Sequence, residues 1–109
     1  METIAIDDFA RIDLRVATVV RAEAHPRADR LLVLEVDLGS ERRQIVAGIR
    51  AHYAPEALLG RQIVIVANLQ TAMLRGVESH GMLLAASDED GRLAIVAPTE
   101  QMSAGARVK

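Results

Sequence analysis

Apolar and polar residues alternate along much of this chain, and that period of two is the feature that most limits its fold. In residues 13–24 five apolar side chains share one parity and four charged side chains the other: Leu14, Val16, Val20, Ala22 and Ala24 against Asp13, Arg15, Arg21 and Glu23. Successive side chains of a β-strand point to opposite faces, so the pattern is typical of a strand with one buried face. It predicts a long half-buried strand that ends at His25-Pro26, with the even-numbered residues facing the core.

The rest of the chain continues as short strands separated by turn residues. Residues 31–38 and 43–47 flank Gly39-Ser40 and predict a hairpin, the β-branched run at 63–67 predicts a buried strand, and residues 82–86 and 93–97 predict two more strands. Residues 55–60 have Pro at the start and Gly at the end, which predicts a short helix between the third and fourth strands. Because strands and helices do not alternate, the sequence predicts an all-β fold, and 109 residues suit a single domain spanning 1–109.

Composition excludes several classes of protein. The chain has no cysteine, which excludes disulfides, thiolate zinc sites and iron–sulfur clusters, and half of its residues are apolar, which excludes a disordered chain. No apolar stretch approaches the roughly 20 residues that span a bilayer, and Met1-Glu2-Thr3 is acidic where a secretory signal would be basic. We therefore expect a cytoplasmic protein with no membrane association.

Charge is unevenly distributed along the chain. The formal net charge is −2, but residues 42–80 hold five arginines against two glutamates, a local net charge of +3. Phosphates respond to local charge, so a basic surface on an acidic protein is able to bind nucleic acid. The arginines of this region, Arg42 and Arg43 among them, are candidate phosphate contacts.

Residues 68–80 show no clean periodicity, and we expect an irregular loop there that carries function. Ser79-His80-Gly81 does not match the G-x-S-x-G nucleophile motif because position 77 is Val, and the three histidines lack the spacing of metal ligands. The sequence therefore predicts a protein that is not an enzyme and has no cofactor. Phe9 and Tyr53 are the only aromatic residues, so a nucleic acid would be recognised by charge and shape rather than by base stacking.

Five segments in order along the chain resemble the bacterial tRNA-binding domain family. They are HPRADRL at 25–31, VDLG at 36–39, RQIVAGI at 43–49, VANL at 66–69 and LRGVESHGM at 74–82. Members of this family occur as free-standing tRNA-binding proteins and at the C-terminus of methionyl-tRNA synthetases. The resemblance covers nearly the whole chain.

The resemblance implies an OB-fold, a five-stranded barrel with a short helix between strands 3 and 4 and a C-terminal extension. It also implies a homodimer that binds the folded tRNA body, with an aminoacyl-tRNA synthetase as a further partner. With the charge pattern, it gives nine candidate RNA-binding residues: Arg15, Arg30, Arg42, Arg43, Asn68, Arg75, Ser79, Gly81 and Met82. In this reading Ser79 donates to a phosphate or a 2′-hydroxyl, and Met82 packs on a sugar or a base.

Two alternatives stay open. The related CsaA-type chaperones share the fold, and Met73, Leu74 and Met82 would suit apolar contacts with unfolded polypeptides. The family commonly has Pro and basic residues soon after Asn-Leu, where this chain has Thr71-Ala72-Met73. That departure supports a dimerisation module that has lost its affinity for RNA.

Overall fold

The structure, a computed structural model, describes all 109 residues and consists almost entirely of β-strands. A four-residue helix α1 (Ile6–Phe9) precedes the first strand, and a single 3-10 turn η1 (Pro55–Leu58) lies between the third and fourth. The ten strands are β1 (Leu14–Ala24), β2 (Leu32–Asp37), β3 (Arg42–Ala47), β4 (Gln62–Val66), β5 (Ala72–Leu74), β6 (Val77–Ser79), β7 (Met82–Leu83), β8 (Ala85–Ser87), β9 (Leu93–Ile95) and β10 (Arg107–Val108). Neither helix has the length or the apolar character needed to cross a membrane.

The main sheet has the order β3-β2-β1-β4-β7, with every neighbouring pair antiparallel and β10 added beside β1. Its two ends approach each other, because the backbone N–H of His80 donates to the carbonyl of Gln44 over 2.9 Å. The sheet is therefore a nearly closed barrel. The predicted five-stranded OB-type barrel, with its short helix between strands 3 and 4 and its C-terminal extension, is confirmed.

The interior of the barrel is filled by branched apolar side chains from every main strand. Leu32, Leu34 and Val36 of β2 are completely buried, and Ile45 of β3 and Ile65 of β4 are equally inaccessible. Burial of each such side chain stabilises the fold by about 1.5–3 kcal/mol relative to exposure. These side chains form one continuous apolar core inside the barrel.

The prediction that the even-numbered residues of β1 face the core is wrong for the first half of the strand. Val19 pairs with Val36 and Arg21 with Glu35, so Val20 is an extra residue, a β-bulge. A bulge shifts the alternation by one residue, and the core-facing residues are therefore Ala17 and Val19 before the bulge and Ala22 after it.

Residues 68–80, expected to form an irregular loop, contain the hairpin β5–β6. Its two-residue turn is Arg75-Gly76, with φ angles of 53° and 85°, the positive values that the right-handed twist of a tight hairpin requires. The predicted strand 82–86 is also divided, into β7 and β8, because Leu84 donates to the carbonyl of Val64 and accepts from the N–H of Val96. Leu84 thus joins two sheets.

Candidate nucleic-acid interface

The hairpin β5–β6 packs along the outside of β3. The hydroxyl of Ser79 accepts from the N–H of Val46 over 2.9 Å, and Nε2 of Gln44 donates to the carbonyl of Glu78 over 2.8 Å. The base of the hairpin therefore lies over residues 44–46 of β3, while its tip, Arg75, contacts Arg27 in the loop between β1 and β2. The two ends of this hairpin border two different surfaces.

The first surface, which we call the groove, lies at the base of the hairpin. It is an open depression of about 690 Å³, lined by Glu41, Arg42, Arg43, Gln44, Ala67, Leu69, Thr71 and His80. The ring of His80 is held between Thr71 Oγ1 at Nδ1 and Glu78 Oε2 at Nε2, each 3.1 Å away. Polar groups thus line the groove, with Leu69 as its exposed apolar side chain.

The two arginines of the groove differ in their freedom. Arg43 donates through Nε to Glu41 over 2.8 Å and through Nη1 to the carbonyl of Ala67, and only 27% of its side chain is exposed. Arg42 lies 4.0 Å from Glu35, with 61% of its side chain exposed. Arg42 is therefore the groove arginine that is free to reach a ligand, and Arg43 secures the loop after β4.

Arg15 and Asn68 hold the start of β1 in place. Arg15 Nε donates to Asp13 Oδ1 over 2.7 Å, and its Nη1 donates to the carbonyl of Gly105 over 3.1 Å. Asn68 accepts from the N–H of Asp13 and donates to the carbonyl of Arg11. The hydrogen bond from Arg15 is the main cause that lowers the pKa of the Asp13 carboxyl below its ordinary value of 3.8, despite partial desolvation. Both candidates therefore have a supporting part in the fold.

Ser79 and Gly81 lie inside the protein. The Ser79 side chain is buried, and its hydroxyl donates to the carbonyl of Gly81 over 2.9 Å. A Cβ atom at Gly81 would lie 2.9 Å from the carbonyl oxygen of Val66, so this position allows β7 to approach β4. The Ser79 proton is used within the fold, in place of the phosphate or 2′-hydroxyl contact that the resemblance implied.

Met82 is the first residue of β7 and the exposed one of its two residues. Nearly half of its side chain, 48%, is accessible. Its backbone pairs with Val66, so β4 fixes its position at the edge of the main sheet. Met82 is thus free to make the apolar contact suggested for it.

The second surface lies at the tip of the hairpin, and we call it the arginine cluster: Arg27, Arg30, Arg50 and Arg75. Nε and Nη2 of Arg27 donate to the carbonyl of Arg75 over 3.3 and 3.1 Å, and Nη1 of Arg50 donates to the carbonyl of Ala28 over 3.3 Å. Residues 27–31 and Arg75 line an open depression there. The structure therefore brings Arg30 and Arg75 together, at a place separate from the groove.

Sequence reasoning missed Arg27, Gln44, Thr71 and His80 as site residues. Gln44 lies two residues after Arg42 on β3, and alternate side chains of a strand point to the same face. The strand period therefore predicts that Gln44 faces outward together with Arg42. Arg27 reaches the site through contacts with Arg75, 48 residues along the chain. No local pattern predicts such a contact.

Comparison with known proteins identifies relatives over the whole chain. A family model described as a putative tRNA-binding domain matches residues 14–107. The chain is 51% identical to methionine–tRNA ligase of Thermococcus kodakarensis over 109 residues, which is 100% of this chain and 15% of the ligase. It is 55% identical to that of Deinococcus radiodurans over 106 residues, 97% of this chain and 16% of the ligase. The chain thus spans about one sixth of the length of these relatives.

Solved structures with the same fold include proteins of two kinds. A MetRS-related protein from Pyrococcus horikoshii superposes with a TM-score of 0.94 at 39% identity, over 100% of both chains. The chaperone CsaA from Bacillus anthracis superposes with a TM-score of 0.89 at 31% identity, over 99% of this chain and 100% of that one. Fold similarity alone therefore leaves both kinds as candidates for function.

Proposed function

This chain belongs to the family of tRNA-binding domains, and from that membership we propose that it binds folded tRNA. The observation that carries the proposal is the match of the family model to residues 14–107. The groove supports it as well, because Arg42 presents an exposed guanidinium group on an open surface that an RNA backbone is able to approach.

Recognition by shape and charge agrees with the placement of the aromatic side chains. Tyr53 packs against the core, its hydroxyl accepts from the N–H of Ile95 over 3.0 Å, and Arg61 lies over its ring. Its ring is therefore committed within the protein and does not serve as a stacking platform for bases. Contacts with phosphates and 2′-hydroxyl groups then supply the affinity, as is usual for double-helical RNA.

We propose a binding module without catalytic activity. Ser79 and His80 are adjacent in sequence, but the Ser79 hydroxyl donates to Gly81 and the His80 ring is engaged by Thr71 and Glu78. The pair therefore lacks the nucleophile–base hydrogen bond that acyl transfer requires.

We further propose that the protein acts in the cytoplasm as a homodimer, as an accessory to an aminoacyl-tRNA synthetase. The relatives that are methionine–tRNA ligases support the synthetase partner. A small barrel offers few contacts to an L-shaped RNA, and a second copy doubles them. Light scattering is expected to give about twice the protomer mass of 11.8 kDa, and a particle of 11.8 kDa would contradict the dimer.

A second candidate function is the binding of unfolded polypeptide. The similarity to chaperone CsaA favours it, as does the exposure of Met73 and Leu74 on the hairpin and of Met82 beside it, at 62%, 37% and 48%. Flexible methionine side chains adapt to varied apolar partners.

One binding experiment separates these functions. Purified protein is titrated with bulk tRNA, with an unstructured RNA of equal length and with a chemically unfolded protein, each over a series of salt concentrations. We expect a preference for tRNA, with affinity that falls as salt rises because bound phosphates release counterions. Binding to the unfolded protein without any preference for RNA would instead support the chaperone function. If the protein binds none of the three, a dimerisation module without affinity for RNA is the function that remains.

A further inference from the structure

The arginine cluster holds positive charge that the protein itself does not neutralise. Arg27, Arg30, Arg50 and Arg75 take part in none of the ion pairs within 4.0 Å, whereas the two groove arginines are each within that distance of a glutamate. Asp29 is the one acidic residue that lines the adjoining depression. Positive charge that has no acidic partner within 4.0 Å makes the surface around this depression favourable for an anion.

The cluster is also held in shape by backbone contacts that leave its charge uncompensated. Arg27 is fixed by two hydrogen bonds to the carbonyl of Arg75, and Arg50 donates from its backbone N–H to the carbonyl of Arg30 over 3.3 Å. A Cβ atom at Gly76 would lie 2.5 Å from Nη2 of Arg27, so this glycine leaves room for the guanidinium. Three separate segments of the chain are thereby assembled around one depression.

His25 connects two of these segments. Its side chain is buried, its Nδ1 accepts from the N–H of Arg27 over 3.0 Å, and its Nε2 lies 2.9 Å from the carbonyl of Leu74. A backbone N–H only donates and a carbonyl only accepts, so the tautomer with its proton on Nε2 satisfies both contacts. His25 therefore ties the loop that carries Arg27 to the hairpin that carries Arg75.

We propose that the arginine cluster is a binding site for phosphates of the RNA backbone, separate from the groove and held in shape by His25 as a positioning residue. The ligand class follows from chemistry, because guanidinium groups in a fixed arrangement match the geometry of phosphate oxygens and form strong charge-assisted hydrogen bonds. This inference rests on the proposed function, since it names where the tRNA backbone is held.

The first test removes two charges and compares salt dependence. Arg27→Gln with Arg75→Gln is expected to weaken tRNA binding at least tenfold and to lower the slope of log affinity against log salt by about two. Arg92→Gln, on the turn between β8 and β9, changes charge away from the site and serves as the matched control with an unchanged slope. If wild-type protein binds tRNA and the double variant binds it equally with the same slope, the cluster site is overturned while the proposed function stands.

The second test uses inorganic tripolyphosphate without RNA, monitored by amide chemical shifts in NMR. The expected shifts are confined to residues 27–31, 50 and 75–76 and disappear in the double variant. Shifts spread evenly over the surface would overturn the site. If the wild-type protein binds no tRNA at any salt concentration, the proposed function is overturned. The assignment of RNA as the ligand of the cluster is then overturned as well, even if tripolyphosphate binds there.

The part played by His25 is tested without any change in formal charge. His25→Phe removes both hydrogen bonds, and we expect weaker tRNA binding with a lower salt slope although all four arginines remain. Gly76→Ala displaces Arg27 independently and is expected to lower the slope in the same way. Folded variants, checked by circular dichroism, that keep the wild-type slope would overturn the positioning role, whereas partial rescue in His25→Gln, which retains a side-chain N–H, would support it.

Discussion

At the scale of single residues, Ser79 has a structural function that its position in the sequence does not reveal. Its hydroxyl satisfies the buried N–H of Val46 and donates to the carbonyl of Gly81. Ser79→Ala leaves a buried donor without a partner, so we expect the free energy of unfolding to fall by about 1–3 kcal/mol. Chemical denaturation measures this, and tRNA affinity of the folded variant should equal that of wild type.

Ser87→Ala is the control for Ser79→Ala, because Ser87 is exposed on β8 and its removal should change stability little. The structural assignment would be contradicted by a Ser79→Ala protein that is as stable as wild type but binds tRNA more weakly. That result would return the hydroxyl to direct RNA contact.

Asp13 makes the stability of the fold depend on acid pH. Its pKa is lowered in the folded state, chiefly by the hydrogen bond from Arg15 and also by the charges of Arg15 and Arg107. A carboxyl group with a lowered folded pKa stabilises the fold above its unfolded pKa, and that stability is lost as pH falls through the folded value. Unfolding free energies measured from pH 7 down to below 3.8 should therefore decline less in Asp13→Asn than in wild type.

Asp7→Asn is the matched control for Asp13→Asn, because Asp7 makes no ion pair and its removal should leave the acid decline intact. Equal declines in wild type and Asp13→Asn would contradict the account of Asp13.

The candidate site was predictable only in part at this scale. Arg30, Arg42, Arg75 and Met82 are exposed, as direct contact requires. Sequence alone does not distinguish the three exposed arginines from Arg43. The guanidinium group of Arg43 donates to the carbonyl of Ala67, which lies 24 residues along the chain. Which arginines are neutralised depends on contacts that only the folded chain creates.

At the scale of elements, strand positions were predictable because apolar alternation marks them, and the OB-type barrel followed. The bulge at Val20 was not predictable, since both parities around it hold small or apolar residues that fit either face. The hairpin β5–β6 was missed for a different reason. Both of its strands have only three residues, too few to show a period, and β5 is exposed along its whole length.

The C-terminal segment docks on the barrel through a close crossing of two backbones. Gly105 has φ +89°, its N–H donates to the carbonyl of Val16 over 2.7 Å, and a Cβ there would lie 2.2 Å from the carbonyl oxygen of Leu38. Gly105→Ala should therefore release this segment. We expect hydrogen exchange to accelerate at the amides of Gly105 and Val16, whose bonds join the segment to β1.

Gly91→Ala is the control for Gly105→Ala, because Gly91 has φ +81° but nothing within 4 Å of an added Cβ. It carries the same kind of backbone strain without the clash. Equal exchange in the two variants would show that the close approach to Leu38 does not hold the segment.

At the scale of the whole molecule, an acidic protein gathers four arginines that form no ion pair on one surface. The net charge is −2, yet half of the twelve arginines form ion pairs and four of the others gather in the arginine cluster. The hairpin β5–β6 extends from the groove to this cluster. Three residues of strand cover about 10 Å, so the hairpin separates the two surfaces by roughly that distance.

The measurement that tests this account most directly is an NMR titration of the wild-type protein with bulk tRNA. Chemical-shift changes should concentrate on the residues of the groove and of the arginine cluster, namely 42–44, 69–71, 80–82, 27–30, 50 and 75. Changes confined to the β8–β9 hairpin or to helix α1, or no change at all, would contradict the proposal that the groove and the arginine cluster bind tRNA.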